Sequence, residues 1–268
     1  MPKIIYGTAW KQNLTATLVE LAIETGFRGI DTACQPRHYH EAGVGEGLAA
    51  ALIKGLTRQD IYLQTKYTPS DGQDPKRMPY DPAASLSRQV AQSFEVSLEN
   101  LRTDYLDCLI LHSPLHNERD LMEVWRAMEA VVYQGGARQI GLSNCYELGV
   151  MEYLHDRADI KPAVLQNRFY ANTGYDRDLR AVCRQLGICY QSFWTLTANP
   201  QMLAHPALLS VAGHHSLTPP QTLFRYLTQI DVTPLTGTTD PAHMREDLAI
   251  FETELAPEEI DRLDALFQ

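Results

Sequence analysis

The chain has 268 residues, a formal net charge of −10, 44% hydrophobic residues and 21% charged ones. That balance is a globular domain's, long enough to bury a core without disulfides or metal, and its acidity, with no run of Lys or Arg, excludes nucleic acid as a partner. No apolar run reaches the roughly 18 residues of a membrane-spanning helix, and the opening MPKIIYGTAWK lacks a secretory leader's apolar core, so a cytoplasmic protein without a membrane partner is expected.

Short apolar runs alternate with amphipathic ones along the chain. Ile4–Ala9 reads as a strand and Leu14–Thr25 as a helix; Gly29–Ala33 is the second strand. The run Gly43-Val44-Gly45-Glu46-Gly47-Leu48 then imitates a dinucleotide fingerprint. Its third glycine falls one residue early and it follows a loop rather than a strand, so it reads as the tight start of a helix. Strand Ile61–Tyr67 leads into a proline-broken loop, Thr68–Pro82, and a helix over Leu86–Leu101. Next come strand Cys108–Ser113, helix Leu121–Val132, strands Gln139–Asn144 and Ala163–Phe169, helix Leu179–Leu186 and strand Cys189–Thr195. A second loop, Asn199–Pro220, is broken by Pro200, Pro206, Pro219 and Pro220. The last strand is Val232–Leu235 and Pro257–Gln268 is a closing helix. Cys34, Cys108, Cys145, Cys183 and Cys189 are odd in number and lack CxxC spacing, so they read as free, buried thiols.

Strand–helix alternation with near-continuous apolar strands implies a parallel sheet covered on both faces. Eight such units fit a single-domain (β/α)8 TIM barrel over residues 1–268. An open doubly wound sheet is the alternative, but it usually places a glycine-rich turn after its first strand, where Gly7-Thr8-Ala9-Trp10 stands instead.

Polar residues close the apolar runs: Asp31, Lys66, His112, Ser143, Asn144, Gln166 and Asn167. In a barrel these strand ends converge on one mouth, where the fold builds its sites. Asp31 and Lys66 can pair there, the carboxylate keeping the buried ammonium charged. A charged Lys66 beside Tyr39 lowers that phenol's pKa from about 10 towards a usable proton donor. His112 can hydrogen-bond and orient a substrate oxygen.

These segments resemble the aldo-keto reductase family. GFRGIDTA, HYHEAGVGEGL, TKY, LILHSP, IGLSN, LQNRFY and GTTDPAHMREDL are similar to the family's blocks and stand in the family's order, nearly end to end. The resemblance implies NADP(H)-dependent reduction of an aldehyde or ketone through a tetrad of Asp31, Tyr39, Lys66 and His112. It further implies that Ser143, Asn144 and Gln166 hold the nicotinamide carboxamide, Phe193 stacks on its ring, and Thr8 and Lys11 lie towards the pyrophosphate. Thr236, Gly237, Thr238, Thr239, His243 and Asp247 would form the adenine-phosphate end, and Trp10, Phe169 and Trp194 the substrate walls. The partner expected is a small carbonyl compound, apolar or aromatic, with the chain a monomer or weak dimer and no metal required.

The sequence departs from the family's pattern at three places. Tyr39 lies eight residues after Asp31, beyond the common spacing, and His38 and His40 flank it as rival donors. Gly237-Thr238 and His243 stand where the family has Lys-Ser and Arg on the 2′-phosphate, which leaves NAD(H) open. The chain stops soon after its last helix, which suggests a wide mouth. Two other functions fit a barrel with these residues: an NADP(H)-binding sensor or partner subunit without turnover, and a lyase forming a Schiff base on Lys66, which requires a neutral lysine.

Overall fold

In the computed structural model, which describes residues 1–267, eight parallel strands close into a barrel in chain order. They are β1 (Ile5–Gly7), β2 (Gly29–Asp31), β3 (Tyr62–Tyr67), β4 (Leu106–Leu111), β5 (Ala137–Ser143), β6 (Val164–Arg168), β7 (Cys189–Phe193) and β8 (Val232–Thr236), with β8 paired back onto β1. Outside them lie α1 (Thr15–Thr25), α2 (Glu41–Ile53), α3 (Leu86–Leu101), α4 (Glu118–Tyr133), α5 (Leu148–Arg157) and α6 (Arg177–Leu186). Three helices, α7 (Pro200–Leu203), α8 (Pro206–His215) and α9 (Pro219–Gln229), separate β7 from β8; α10 (Pro241–Ala249) and α11 (Pro257–Asp264) finish the chain. Among the described residues no helix is long and apolar enough to cross a membrane. All five cysteines are free, and all but half-buried Cys189 are buried.

Alternate side chains of a strand face opposite sides, and here the two sides differ in kind. Outward residues such as Leu63, Leu109, Ile140, Leu142 and Leu165 pack with Val19, Val44, Trp125 and Met128 of the helices in one large apolar cluster. Inward residues form a small second cluster, Cys108, Ile110 and Val164 with Tyr62 and Cys189. Above it the interior turns polar: Gln64, Gln166 and Gln191 hydrogen-bond one another across the lumen. Tyr62, Gln64 and Lys66 therefore share one face of β3, and that face delivers Lys66 to the mouth.

Three sequence expectations change. β4 begins at Leu106, not Cys108, because Asp107 is inside the strand rather than before it. Its carboxylate is tied outward to Arg58, Arg138 and the Leu63 N–H. Much of the Asn199–Pro220 loop is helical, because Pro200, Pro206 and Pro219 sit in the first turns of α7, α8 and α9, where no N–H is needed. The closing helix ends at Asp264, and a short 3-10 turn follows over Ala265–Phe267; Gln268 lies outside the described residues.

The glycine run lies inside α2. It is neither a phosphate loop nor merely a helix start. A Cβ on Gly45 would stand 2.0 Å from the Asn100 carbonyl oxygen of α3, and one on Gly47 2.5 Å from the Ala16 carbonyl oxygen of α1. The glycines let α2 nest between its neighbours backbone against backbone. Gly45→Ala is therefore expected to lose about 1–3 kcal/mol or more of stability through overpacking, read from the denaturant midpoint; an unchanged midpoint would show that α3 can shift freely.

Candidate active site

The site begins with an ion pair. Asp31 ends β2 and Lys66 stands one residue before the end of β3, and both are buried. Lys66 Nζ donates to Asp31 Oδ1 at 2.6 Å, to Oδ2 at 2.7 Å and to the Thr32 carbonyl at 2.8 Å. Gln64 and Gln166 donate to the same Asp31 Oδ1 at 2.7 and 2.9 Å. Burial pulls the Lys66 ammonium below its ordinary pKa, and the Asp31 carboxylate works against that.

The segment after β2 folds Tyr39 back over this pair. Thr32 and Cys34 donate backbone N–H groups to the Gln64 and Lys66 carbonyls of β3, and His38 and Tyr39 both donate to the Gln35 carbonyl. The longer spacing between Asp31 and Tyr39 is thus taken up by a turn at Gln35–Tyr39. Lys66 Nζ comes to 5.3 Å from the centre of the Tyr39 ring, and His112 meets that ring edge-on at 6.1 Å. The three donors of Lys66 already engage Asp31 and Thr32, so the lysine acts on Tyr39 through space rather than by a hydrogen bond.

The expected direction of the Tyr39 pKa is reversed. Burial, then the Asp31 charge, push the phenol well above its ordinary value. Tyr39 is a firmly protonated phenol. His112 lies well below 6.5 through burial, then through Lys66 and His38, so it is a neutral imidazole. Its Nδ1 is 2.7 Å from the Thr68 hydroxyl. His38 packs against Trp10, ring centres 4.1 Å apart, and burial with Arg37 lowers its pKa. His40 precedes α2 at the surface.

The remaining expected residues divide. Asn144, in the left-handed region at φ 53°, donates to the His112 carbonyl at 2.8 Å and to Ser143 Oγ at 3.2 Å. Among the described residues its Oδ1 meets only the Tyr146 hydroxyl, at 3.4 Å. Ser143 donates to the Gln166 carbonyl and Thr8 to the Asp31 carbonyl. The Gln166 amide points to Asp31 and Gln191, into the interior. Phe193 is half-buried at the end of β7. Trp10 and Trp194 stand at the mouth, 57% and 48% exposed, with Arg168 at 4.2 Å over Trp194. Around the end of β8, Lys11 Nζ donates to the Gly237 carbonyl, the Thr238 hydroxyl accepts from the Asp240 N–H, and Thr239 and His243 are exposed.

Four expected residues, Phe169, Asn167, Thr236 and Asp247, are engaged inside the fold. Phe169 is fully buried against Tyr175 and Phe267, core rather than substrate wall. Asn167 is enclosed by Cys145 and Asp176. Thr236 turns its hydroxyl outward to Asp247 of α10 at 2.7 Å, and burial, with Glu246 adding to it, brings that carboxylate up to about 6 against the opposing Thr236 and His243. Sequence reasoning missed Gln64, Gln191 and Thr68; the alternation Tyr62-Gln64-Lys66 was the signal for the first. It also gave no role to Glu41, a buried acid bound by Thr65, Ser97 and Asn100 behind the site. A groove of about 570 Å³ between α2 and α3 contains no residue of this constellation.

A model of the aldo/keto reductase family matches residues 3–268. The glyoxal reductase of Bacillus subtilis (strain 168) is 30% identical over 248 residues, covering 92% of this chain and 82% of the relative. An oxidoreductase of the same organism, YtbE, is 30% identical over 249 residues with the same coverage. Among solved structures, an aldo/keto reductase from Brucella melitensis superposes with a TM-score of 0.84 at 27% identity, covering 99% of this chain and 95% of the other. The aldose reductase from Schistosoma japonicum gives 0.83 at 26% identity, covering 99% and 88%.

Removing one partner of a buried pair strands the other charge. Lys66→Met is expected to lose about 3–5 kcal/mol of stability, measured by chemical denaturation. A loss under about 1 kcal/mol, the value of an exposed pair, would contradict the sealed geometry.

Proposed function

The chain belongs to the aldo/keto reductase family, which makes it an oxidoreductase of carbonyl compounds that works with a nicotinamide cofactor, and we propose that it reduces an aldehyde or ketone with NADPH, Tyr39 giving the proton. The observation that carries this reading is the meeting of Asp31, Tyr39, Lys66 and His112 at one rim, from the ends of β2, β3 and β4 and the loop between.

The residues around the mouth suit a nicotinamide dinucleotide. Asn144 Oδ1 has acceptor capacity for an amide N–H, and a Cβ on Gly237 would meet Lys11 Nζ at 3.5 Å and the Gly7 carbonyl oxygen at 3.7 Å, which keeps the ammonium beside this turn. Asn144 and Ser143 would hold the carboxamide, Phe193 would face the ring, and Lys11, Thr238 and Thr239 would hold phosphate. When bound, the reduced cofactor supplies hydride to the carbonyl carbon. Tyr39 donates its proton to the developing alkoxide, and Lys66 stabilises the phenolate left behind, held in place by Asp31. A Thr68 hydroxyl donating to Nδ1 would leave the His112 proton on Nε2, free to donate to the substrate oxygen. Trp10 and Trp194 give the mouth apolar walls, which favour an apolar or aromatic carbonyl compound. NADH is a second reading, favoured by uncharged Gly237 and by His243 where the family places cations. A Schiff base on Lys66 is disfavoured, because Asp31 engages the nitrogen through both oxygens. The meeting of four groups at one rim disfavours a binding-only sensor.

Tyr39→Phe should lower kcat for NADPH-dependent carbonyl reduction by about 10²–10⁴, the worth of a general acid, with the cofactor Kd from fluorescence titration unchanged. Turnover at the parent rate would remove Tyr39 from the role. The pH profile tests the same assignment: Tyr39 is shifted up and His112 down, so Tyr39 stays protonated and His112 neutral across neutral pH. kcat/KM should be flat from about pH 7 to about pH 9; a basic limb in that window that vanishes in Tyr39→Phe would contradict the raised phenol. His243→Arg should tighten NADPH by more than it tightens NADH; equal effects on both would mean that this residue does not face the 2′-phosphate.

A further inference from the structure

A second cluster of chemically capable side chains lies outside the barrel mouth. His214 and His215 are the last two residues of α8, and Glu259 lies in the first turn of α11. His214 Nδ1 is 2.7 Å from Glu259 Oε1, and His215 Nε2 is 2.8 Å from Oε2. We propose that these three side chains form a binding site for a single divalent zinc-like ion, two imidazole nitrogens and one carboxylate oxygen supplying the protein ligands.

The donor set selects the metal. Two imidazoles and a carboxylate suit zinc and its late first-row neighbours, whereas magnesium and calcium take oxygen shells. The geometry is nearly formed: the three ligand atoms all lie within 4.8 Å of one another. Ligands at about 2.0–2.1 Å in a tetrahedron stand roughly 3.4 Å apart, so coordination needs only small side-chain rotations. Today a proton bridges each nitrogen to the carboxylate. One divalent ion can take the place of both bridges. The two rings lie 4.7 Å apart, centre to centre, so both nitrogens already converge on one carboxylate.

The carboxylate is also anchored as a ligand should be. Glu259 Oε2 accepts the Ala256 backbone N–H at 2.9 Å, which fixes its direction from behind, as outer-shell partners of metal ligands do. The Glu259 side chain is only 8% exposed, and its ion-pair partners among the described residues are these two imidazoles alone. His215 is 18% exposed and His214 71%, so the cluster is open on one side. An ion can reach it, and water can complete a fourth position. Occupancy would clamp α11 to α8. The turn after α11 carries Phe267, which packs on Phe169 and Tyr226, so the clamp would hold the chain's last apolar contact.

The test is titration of the chelator-stripped, full-length protein with Co²⁺, a coloured stand-in for zinc, followed by displacement with Zn²⁺. The proposal expects visible bands of tetrahedral cobalt saturating at one ion per chain, bleached by zinc, and a rise in Tm on adding zinc. His214→Ala and Glu259→Gln should each weaken binding at least about tenfold, while His116→Ala, at another exposed histidine, should not. His214 is largely exposed, so its loss leaves the fold intact and the result readable. Carbonyl reduction without added metal should be the same in His214→Ala as in the parent. Absence of tetrahedral cobalt bands at micromolar metal, or full-strength binding in His214→Ala, would overturn the assignment and leave the cluster a hydrogen-bonded strut.

Discussion

A carboxylate and an ammonium sealed into a barrel must satisfy each other, and Asp31 and Lys66 do so over 2.6 and 2.7 Å. Each would be costly to bury alone. Together they fix the positions of almost everything around the mouth. The Thr32 carbonyl turns in to take the third lysine proton, and Gln64 and Gln166 turn their amides towards Asp31. Thr8 closes on the Asp31 carbonyl. Tyr39 is laid over the ammonium by backbone bonds that start from the same two strands. The pair is thus structural and chemical at once: Asp31 allows Lys66 to be buried, and its charge adds to burial in keeping Tyr39 a phenol.

The barrel brings these groups together because of its strand pairing. Gly7 of β1 is in register with Asp31, Asp31 with Gln64, and Lys66 with Ile110, two residues before His112. Ser143 is in register with Gln166, and Gln166 with Gln191. One level of the closed sheet therefore carries the polar layer, and the loops above it carry Tyr39, Thr68 and Asn144. The Thr68–Pro82 loop is itself tied down, Tyr80 donating to the Thr68 carbonyl and Gln73 to the Cys34 carbonyl. That fixes the hydroxyl beside His112.

The barrel and the four-residue meeting were legible because both rest on strong signals: continuous apolar runs and polar residues at their ends. What was misread shares one cause, the same residue type serving two physical ends. Proline signals a break in the chain, yet Pro200, Pro206 and Pro219 open helices. A glycine run reads as the tight start of a helix, yet Gly45 and Gly47 make room for neighbouring helices. Phe169 follows a strand end, as a wall residue would, but the last turn of the chain covers it with Phe267. The pKa of Tyr39 could not be signed from the sequence, because the answer turns on how completely Asp31 offsets Lys66, a matter of distance and burial. Gln64 and Gln191 went unread because polar side chains inside a small barrel are uncommon and a single strand gives no sign of which face closes inward.

The three glutamines of the lumen have one further consequence. Each amide has a donor end and an acceptor end, and the anion at Asp31 decides which end faces up. Gln64 and Gln166 present nitrogen to it, and both also present nitrogen to the Gln191 oxygen. The negative charge at the rim therefore sets a polarity that extends down the barrel, like a compass needle aligning its neighbours. Gln191 touches none of the four rim side chains, yet its orientation belongs to the same chain of dipoles. Mouth and floor are in this way joined by one unbroken run of amide hydrogen bonds.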